Sequence, residues 1–237
     1  MGIAFGARNR AKARIGRQEL TGPDGSDPRR GFARVSLMRQ LGETQAPSMR
    51  DARARYFDQA GLGSDGGYGA SWVRLQLGPL SLAFPNTAAR VRAVRYHDLH
   101  HVLTGYETDW IGECEISAWE IAGSCRGFLA AWALNLFAFS AGCILAPRRT
   151  FRAFVRGRHE TNLYARADLD AVLDLGVDEV RGELRISAVG GAPRSWDRAV
   201  FLGWFLVSIW HVLLWLLVLV GLPLFIVSSW FSSPGSA

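Results

Sequence analysis

The chain has 237 residues, 49% of them apolar, with nine Trp, thirteen Phe and a formal charge of +6. That length holds one good-sized domain plus an appendage and buries a core without disulfides. Three cysteines (Cys114, Cys125, Cys143) with no C-x-x-C pair exclude a disulfide framework and a cysteine zinc site, leaving buried thiols in a reducing compartment.

The charge is unevenly placed. Residues 1–56 carry twelve basic and five acidic side chains, and the remainder carries fifteen against sixteen. The body is therefore neutral and the leader basic. A basic arm favours nucleic acid or anionic lipid. The leader has few interleaved aromatics and the chain has no nucleic-acid module, so lipid headgroups or plain solvation are expected and nucleic acid is not. Residues 1–48 read as a disordered leader, with Gly, Pro and Asp concentrated in "TGPDGSDPRR". The first eighteen residues hold five basic groups and no acid, as organellar presequences do, but they lack Ser and a clear amphipathic pattern.

Residues 49–195 are expected to form a helical domain. A short helix is expected in "MRDARARYFDQAG", followed by the Gly-rich loop "GLGSDGGYGAS". The next helix has readable ends: Asn86 or Thr87 to cap it, and Gly105 to stop it. Another begins near Trp110. Residues 127–147 carry no charge, which suits either a bilayer span or a central helix buried on all sides. The small residues and Asn135 favour the buried helix. The polar stretch from Arg148 to Ile186 reads as helical, with Leu169, Val172, Leu173 and Leu175 on one buried face.

Residues 196–237 are expected to anchor the chain in a membrane. No formal charge occurs from Val200 to Phe231, a run long enough to span about 30 Å of hydrocarbon. Trp204, Trp210, Trp215 and Trp230 suit interfacial anchoring, and Gly221 and Pro223 mark a kink or an end. A re-entrant pair of short passes is the other arrangement that this length allows. Arg194 and Arg198 flank the N-terminal side and no basic residue follows Phe231, so the positive-inside rule places the domain on the cytoplasmic face. In a bacterium that is the inner membrane, and in a eukaryote the mitochondrial inner membrane is expected.

The chemistry concentrates in "YHDLHHVLTGYETDWIGECE", which holds three of the five histidines. On a helix His97 and His101 are one turn apart, and Asp98 lies an i, i+3 step from His101. Glu113 follows after a turn containing Gly105 and Gly112, so a second helix can fold back and deliver it. His97, Asp98, His101 and Glu113 are thus the expected ligands of a divalent iron, zinc or manganese ion with open positions. His100 points away from Asp98, and Glu120 lies two turns beyond Glu113; each is expected either to stand behind the ligands or to lie at the surface. Arg156 is either the partner of an anionic head group or a solvated charge. "HDLHH" also matches the H-x-x-H-H box of membrane desaturases, but those di-iron sites need about eight histidines. No G-x-S-x-G, H-E-x-x-H or P-loop occurs.

His97-Asp98-x-x-His101, then eleven residues and Glu113, resembles the metal motif of the coenzyme Q biosynthesis protein 4 family. "HDLHHVLTGYETDWIGE", "FVRGRHETNLY" and "LDLGV" are similar to segments of that family, and the resemblance covers roughly residues 50–190. It implies an all-α, membrane-associated helical bundle that binds a divalent metal and a long isoprenoid. It implies a role in ubiquinone synthesis, by oxidative decarboxylation at the carboxylate-bearing carbon of a polyprenylated hydroxybenzoate. The partners implied are a prenylated quinone precursor, other quinone-biosynthesis enzymes and a second copy of the chain. The alternative is a non-catalytic prenyl-lipid-binding scaffold that organises those enzymes at the membrane. The basic leader and the charge-free tail extend beyond the family pattern.

Overall fold

A computed structural model describes residues 2–3, 47–77, 80–166, 168–187, 190–221 and 223. Helices dominate it, as expected of an all-α chain. In chain order the elements are β1 (Gly2–Ile3), α1 (Met49–Ala60), β2 (Trp72–Leu77), β3 (Leu80–Pro85), α2 (Ala88–Thr104), α3 (Trp110–Gly123), α4 (Leu129–Leu145) and α5 (Pro147–His159). A 3₁₀ turn (Leu163–Ala165), α6 (Leu169–Leu173), α7 (Val177–Glu183), α8 (Asp197–Leu216) and a π-turn (Leu217–Gly221) complete them. Most of the leader lies outside the described residues. Gly2–Ile3 pairs in parallel with β2.

A small sheet accompanies the helices. β2 and β3 form an antiparallel hairpin in which Val73 pairs with Phe84 and Leu77 with Leu80. The alternation in "VRLQL" and "LSLAF" is a strand pattern of period two. It precedes helix α2 and passes unnoticed beside the stronger histidine signal.

Helix α2 begins and ends where its sequence says. The Thr87 side chain accepts from the Arg90 N–H, and Gly105 takes the left-handed conformation (φ 74°) that lets its N–H reach the His101 carbonyl. Two arginines hold the other exposed carbonyls of this end. Arg181 donates to the carbonyls of Leu103 (2.9 Å) and Val102 (3.1 Å), and Arg156 donates to Thr104 (3.1 Å). Cations there complement the helix dipole and fix the turn that carries His101.

Two apolar clusters hold the helices. One joins Met49, Tyr96, Leu99, Leu103, Phe128, Leu163 and Leu173. The other joins Ile121, Leu136, Phe139 and Phe154, with Phe201 and Trp204 of α8 packed against it. Helices α3 and α5 approach so closely at Gly157 that a Cβ there would lie 2.3 Å from the Trp119 carbonyl oxygen. Gly157→Ala is therefore expected to force these helices apart and to cost about 1–3 kcal/mol, seen as a lower midpoint in chemical denaturation.

Two further expectations change. The stretch after α5 is not one helix: it breaks into the 3₁₀ turn, α6 and α7. Leu169, Val172 and Leu173 do line the buried face of α6, but Leu175 lies beyond its end and is only partly buried. Asp168 restarts the chain there by accepting from the N–H groups of Asp170 and Ala171. Helix α4 is not buried on all sides. Ala131, Asn135, Leu136 and Phe139 face inward, whereas Leu129, Leu134, Phe137, Ile144 and Leu145 are exposed.

Asp197–Gly221 is long and apolar enough to cross a membrane. Its first turn is tied down: Arg158 donates to Asp197 (2.8 Å) and stacks on Trp196. The π-turn precedes Pro223, which cannot donate to the carbonyl four residues back, and a π-turn is a common accommodation of that break. Trp230 and the rest of the tail lie outside the described residues.

Candidate metal centre

The capped ends of α2 set the rotation of His97 and His101, and α3 lays Glu113 across them. Asp109 starts α3 by accepting from the Gly112 N–H at 2.7 Å. Gly112 is required there, because a Cβ would lie 2.0 Å from the Glu107 carbonyl oxygen. Glu113 is the next residue, so the tight entry to α3 aims it.

The two Nε2 atoms of His97 and His101 are 3.2 Å apart. Glu113 Oε2 lies 3.3 Å from the His97 Nε2, and Glu113 Oε1 lies 3.4 Å from the His101 Nε2. These three residues form a cluster able to hold a metal ion. An ion bound tetrahedrally at 2.0–2.1 Å has ligand atoms separated by about 3.3–3.4 Å; the two imidazoles come near that spacing, while Glu113 turns a different oxygen to each of them, and one ligand atom from each residue lies within 4.8 Å of the others. Three protein ligands leave a fourth position for water or substrate, the usual arrangement in catalytic zinc sites.

Each imidazole is oriented from behind. The His101 Nδ1 donates to the Tyr106 carbonyl (2.9 Å) and the His97 Nδ1 to Glu120 Oε1 (2.8 Å). Both arrangements turn Nε2 toward the point between the three residues where an ion would sit, as outer partners do in known metal sites. Glu120 is completely buried and accepts four donors. Its Oε1 takes His97 and His100 (2.7 Å), and its Oε2 takes the Asn135 amide (2.5 Å) and the Tyr164 hydroxyl (2.9 Å). Burial alone would raise its pKa, but the His97 and His100 imidazoles outweigh burial and hold it well below the ordinary carboxylate range.

His100 is not a ligand. Its Nδ1 meets Glu120 and its Nε2 accepts the Leu163 N–H at 2.9 Å, which assigns a neutral tautomer. Burial lowers its pKa despite Glu120. It is fully buried, with Glu120 between it and His97.

Asp98 departs from its expected role as a fourth ligand. It stands outside the cluster of three, and its Oδ2 accepts the Tyr68 hydroxyl at 2.6 Å. One residue along a helix is a turn of about 100°, which carries Asp98 from the His97 face toward the glycine-rich loop. Burial raises its pKa against the pull of Tyr68 and the two histidines. Arg156 also departs from expectation. Its guanidinium is committed to Glu160 (3.1 Å) and the Thr104 carbonyl and lies over the Tyr106 ring, so it braces α2 and is not offered to a head group.

Comparison with known protein families, characterised proteins and solved structures finds no match to this chain.

The site contains residues that spacing did not identify. Tyr56 stacks on His101 with ring centroids 5.4 Å apart and planes at 17°. Beside it lies a cleft of about 390 Å³ lined by Arg55, Tyr56, Gln59, His101, Glu107 and Thr108. Of the three ligands only His101 reaches it. Tyr56, Tyr68, Asn135 and Tyr164 come from loops and helices distant in sequence, and no motif marks them.

The proton balance of the ligands predicts how metal uptake depends on pH. Two bare Nε2 lone pairs 3.2 Å apart repel, so in the metal-free protein one of them carries a proton. Burial would lower the His97 pKa, but Glu120 and Glu113 overcome it and raise that pKa well above 6.5. Glu113, held low by both histidines against its burial, stays ionised. A metal ion then displaces the His97 proton. Apparent affinity should rise about tenfold per pH unit from pH 6 until the raised His97 pKa is passed. Titration with zinc or manganese against a chelator at several pH values checks this, and a flat profile would contradict it. In the metal-free protein the His97 contribution to stability is fully present below about pH 6.5 and is lost as pH rises through the raised value.

Proposed function

We propose that this chain is a membrane-anchored, divalent-metal-dependent protein of ubiquinone synthesis, acting on the ring of a polyprenylated hydroxybenzoate by oxidative decarboxylation. The observation that carries the reading is the triangle of His97, His101 and Glu113, with spacing suited to an ion and a position left open. The resemblance of His97-Asp98-x-x-His101 and Glu113 to the coenzyme Q biosynthesis protein 4 motif narrows it to the quinone ring.

A bound divalent ion would supply Lewis acidity to a ring carboxylate or phenolate at the open position and, if redox-active, would allow dioxygen to serve as the two-electron oxidant that the decarboxylation requires. The chain's own residues supply the rest. Glu120 and the Tyr106 carbonyl hold the two imidazoles in register. Tyr56 shields one face of His101 and offers an aromatic surface to a ring in the cleft. Arg55 on the cleft wall is exposed and matches an anionic head group, the part expected of Arg156. The apolar stretch of α8 holds this centre near membrane-dissolved prenyl substrates, and Arg194 and Arg198 set the domain on the cytoplasmic face. Other quinone-biosynthesis enzymes are the protein partners in this reading.

The test is a quinone-pathway lipid profile by mass spectrometry in a deletion strain, complemented with the wild-type chain or with His101→Ala. A carboxylated prenyl-phenol should accumulate in the deletion, and only the wild-type chain should clear it. Full rescue by His101→Ala would show that the metal is dispensable and favour the scaffold. An unchanged quinone profile in the deletion strain would remove the pathway assignment.

A further inference from the structure

We propose that helix α4 is a second lipid-contacting element, its outward face lying in the acyl layer of the bilayer that α8 enters. The inference rests on reading α8 as membrane-inserted.

The outward residues of α4 follow a helical stripe: Leu134, Phe137, Ile144 and Leu145 are 38%, 39%, 70% and 63% exposed. Spacings of three and seven place Leu134, Phe137 and Ile144 along one side. The inward side is filled by protein, with Asn135 and Ser140 buried and hydrogen-bonded. A helix with one packed side and one bare apolar side is not a free-standing span. At seventeen residues it is about 25 Å long, short of the roughly 30 Å hydrocarbon layer. Its fit is partial immersion, with the packed side toward the domain.

Continuity with α8 names the occupant. Trp132 of α4 stacks on Trp204 of α8 at 5.1 Å, Phe139 meets Phe201 at 5.2 Å, and Phe137 lies 4.8 Å from His211. The α8 side chains beside that contact are bare as well: Val207 is 47% exposed, and Trp215, whose ring lies 6.4 Å from that of Phe137, is 40% exposed. The two surfaces form one apolar region, so an α8 immersed at this level brings α4 with it. Charge supports the same placement. Residues 127–147 carry none, and Arg126 before them and Arg148 after them are exposed at the two ends, where lipid phosphates would meet them.

The test is site-specific photo-crosslinking in the full-length chain, reconstituted into phosphatidylcholine–phosphatidylglycerol vesicles containing radiolabelled phosphatidylcholine. A photo-reactive phenylalanine analogue replaces Ile144, Leu213 or Asp58, one at a time, and circular dichroism confirms the fold of each. Lipid adducts at 144 should match those at 213 in yield and exceed those at 58 several-fold. Adducts at 213 without adducts at 144 would overturn the inference and leave α8 in the membrane. A crosslinked dimer at 144 in place of a lipid adduct would also overturn it, making this face a contact between copies. Adducts at neither 144 nor 213 would remove the membrane reading of α8 and this inference together.

Discussion

Glu120→Ala is expected to be the most damaging single substitution in the described domain, preventing stable folding at ambient temperature. The carboxylate accepts four buried donors, from His97, His100, Asn135 and Tyr164. Alanine leaves all four without an acceptor and opens a cavity. Each buried, unsatisfied donor costs about 1–3 kcal/mol, so the sum rivals the 5–15 kcal/mol that stabilises a typical domain. Glu120→Gln keeps the volume and one acceptor oxygen but sets an NH₂ against donors, and is expected to cost about 3–5 kcal/mol. It should also weaken metal binding about 10–100-fold, because His97 loses the partner that fixes its Nε2. Tyr164→Phe removes one donor and leaves the other three in place, so about 1–2 kcal/mol is expected. Urea denaturation of the three variants, with zinc titration of those that fold, tests the ranking. A Glu120→Gln protein with wild-type stability and affinity would show that this carboxylate does not organise the site.

Glu113→Gln should separate metal binding from folding. Glu113 is the most solvent-exposed ligand, its side chain 31% exposed, and glutamine leaves no cavity. Its amide oxygen carries no charge to offset the ion. A loss of more than about 100-fold in metal affinity is expected, beyond that of an outer-partner substitution. Stability of the metal-free protein should change by only about 1 kcal/mol, the loss of a partly exposed ion pair with the protonated His97. Asp98→Asn is the companion measurement. With Asp98 bonded to Tyr68 and outside the triangle, the expected change in affinity is under about tenfold. Equal losses from Glu113→Gln and Asp98→Asn would restore Asp98 as a fourth ligand. Isothermal titration calorimetry reads all three proteins.

The helix ends were legible because their signals are local. Thr87 and Gly105 act within a few residues of themselves, and the spacing of His97 and His101 is fixed by one helical turn. Glu113 was legible because the intervening turn is short. Other features depend on contacts that spacing cannot show. Asp98 is diverted by a tyrosine thirty residues upstream. Arg156 is absorbed by a helix end fifty-two residues away in sequence. Asn135 was legible as a buried residue, whereas its bond to Glu120 depends on how α4 crosses α3. Composition alone left α4 between span and core, because the charge-free sequence of 127–147 suits both and only packing separates its two faces.

The filled coordination of Glu120 also decides where protons can go. A carboxylate offers about four acceptor directions, and all four here are occupied by donors that cannot rotate away. Glu120 is thus a fixed electrostatic wall, with no acceptor direction left for a further proton. Glu113 is engaged with the two imidazoles. Of the three carboxylates around the histidines, that leaves Asp98, which burial already inclines toward protonation and which Tyr68 joins to the glycine-rich loop. Of these carboxylates, Asp98 is therefore the one with room left to take up a proton, on the side that faces the glycine-rich loop.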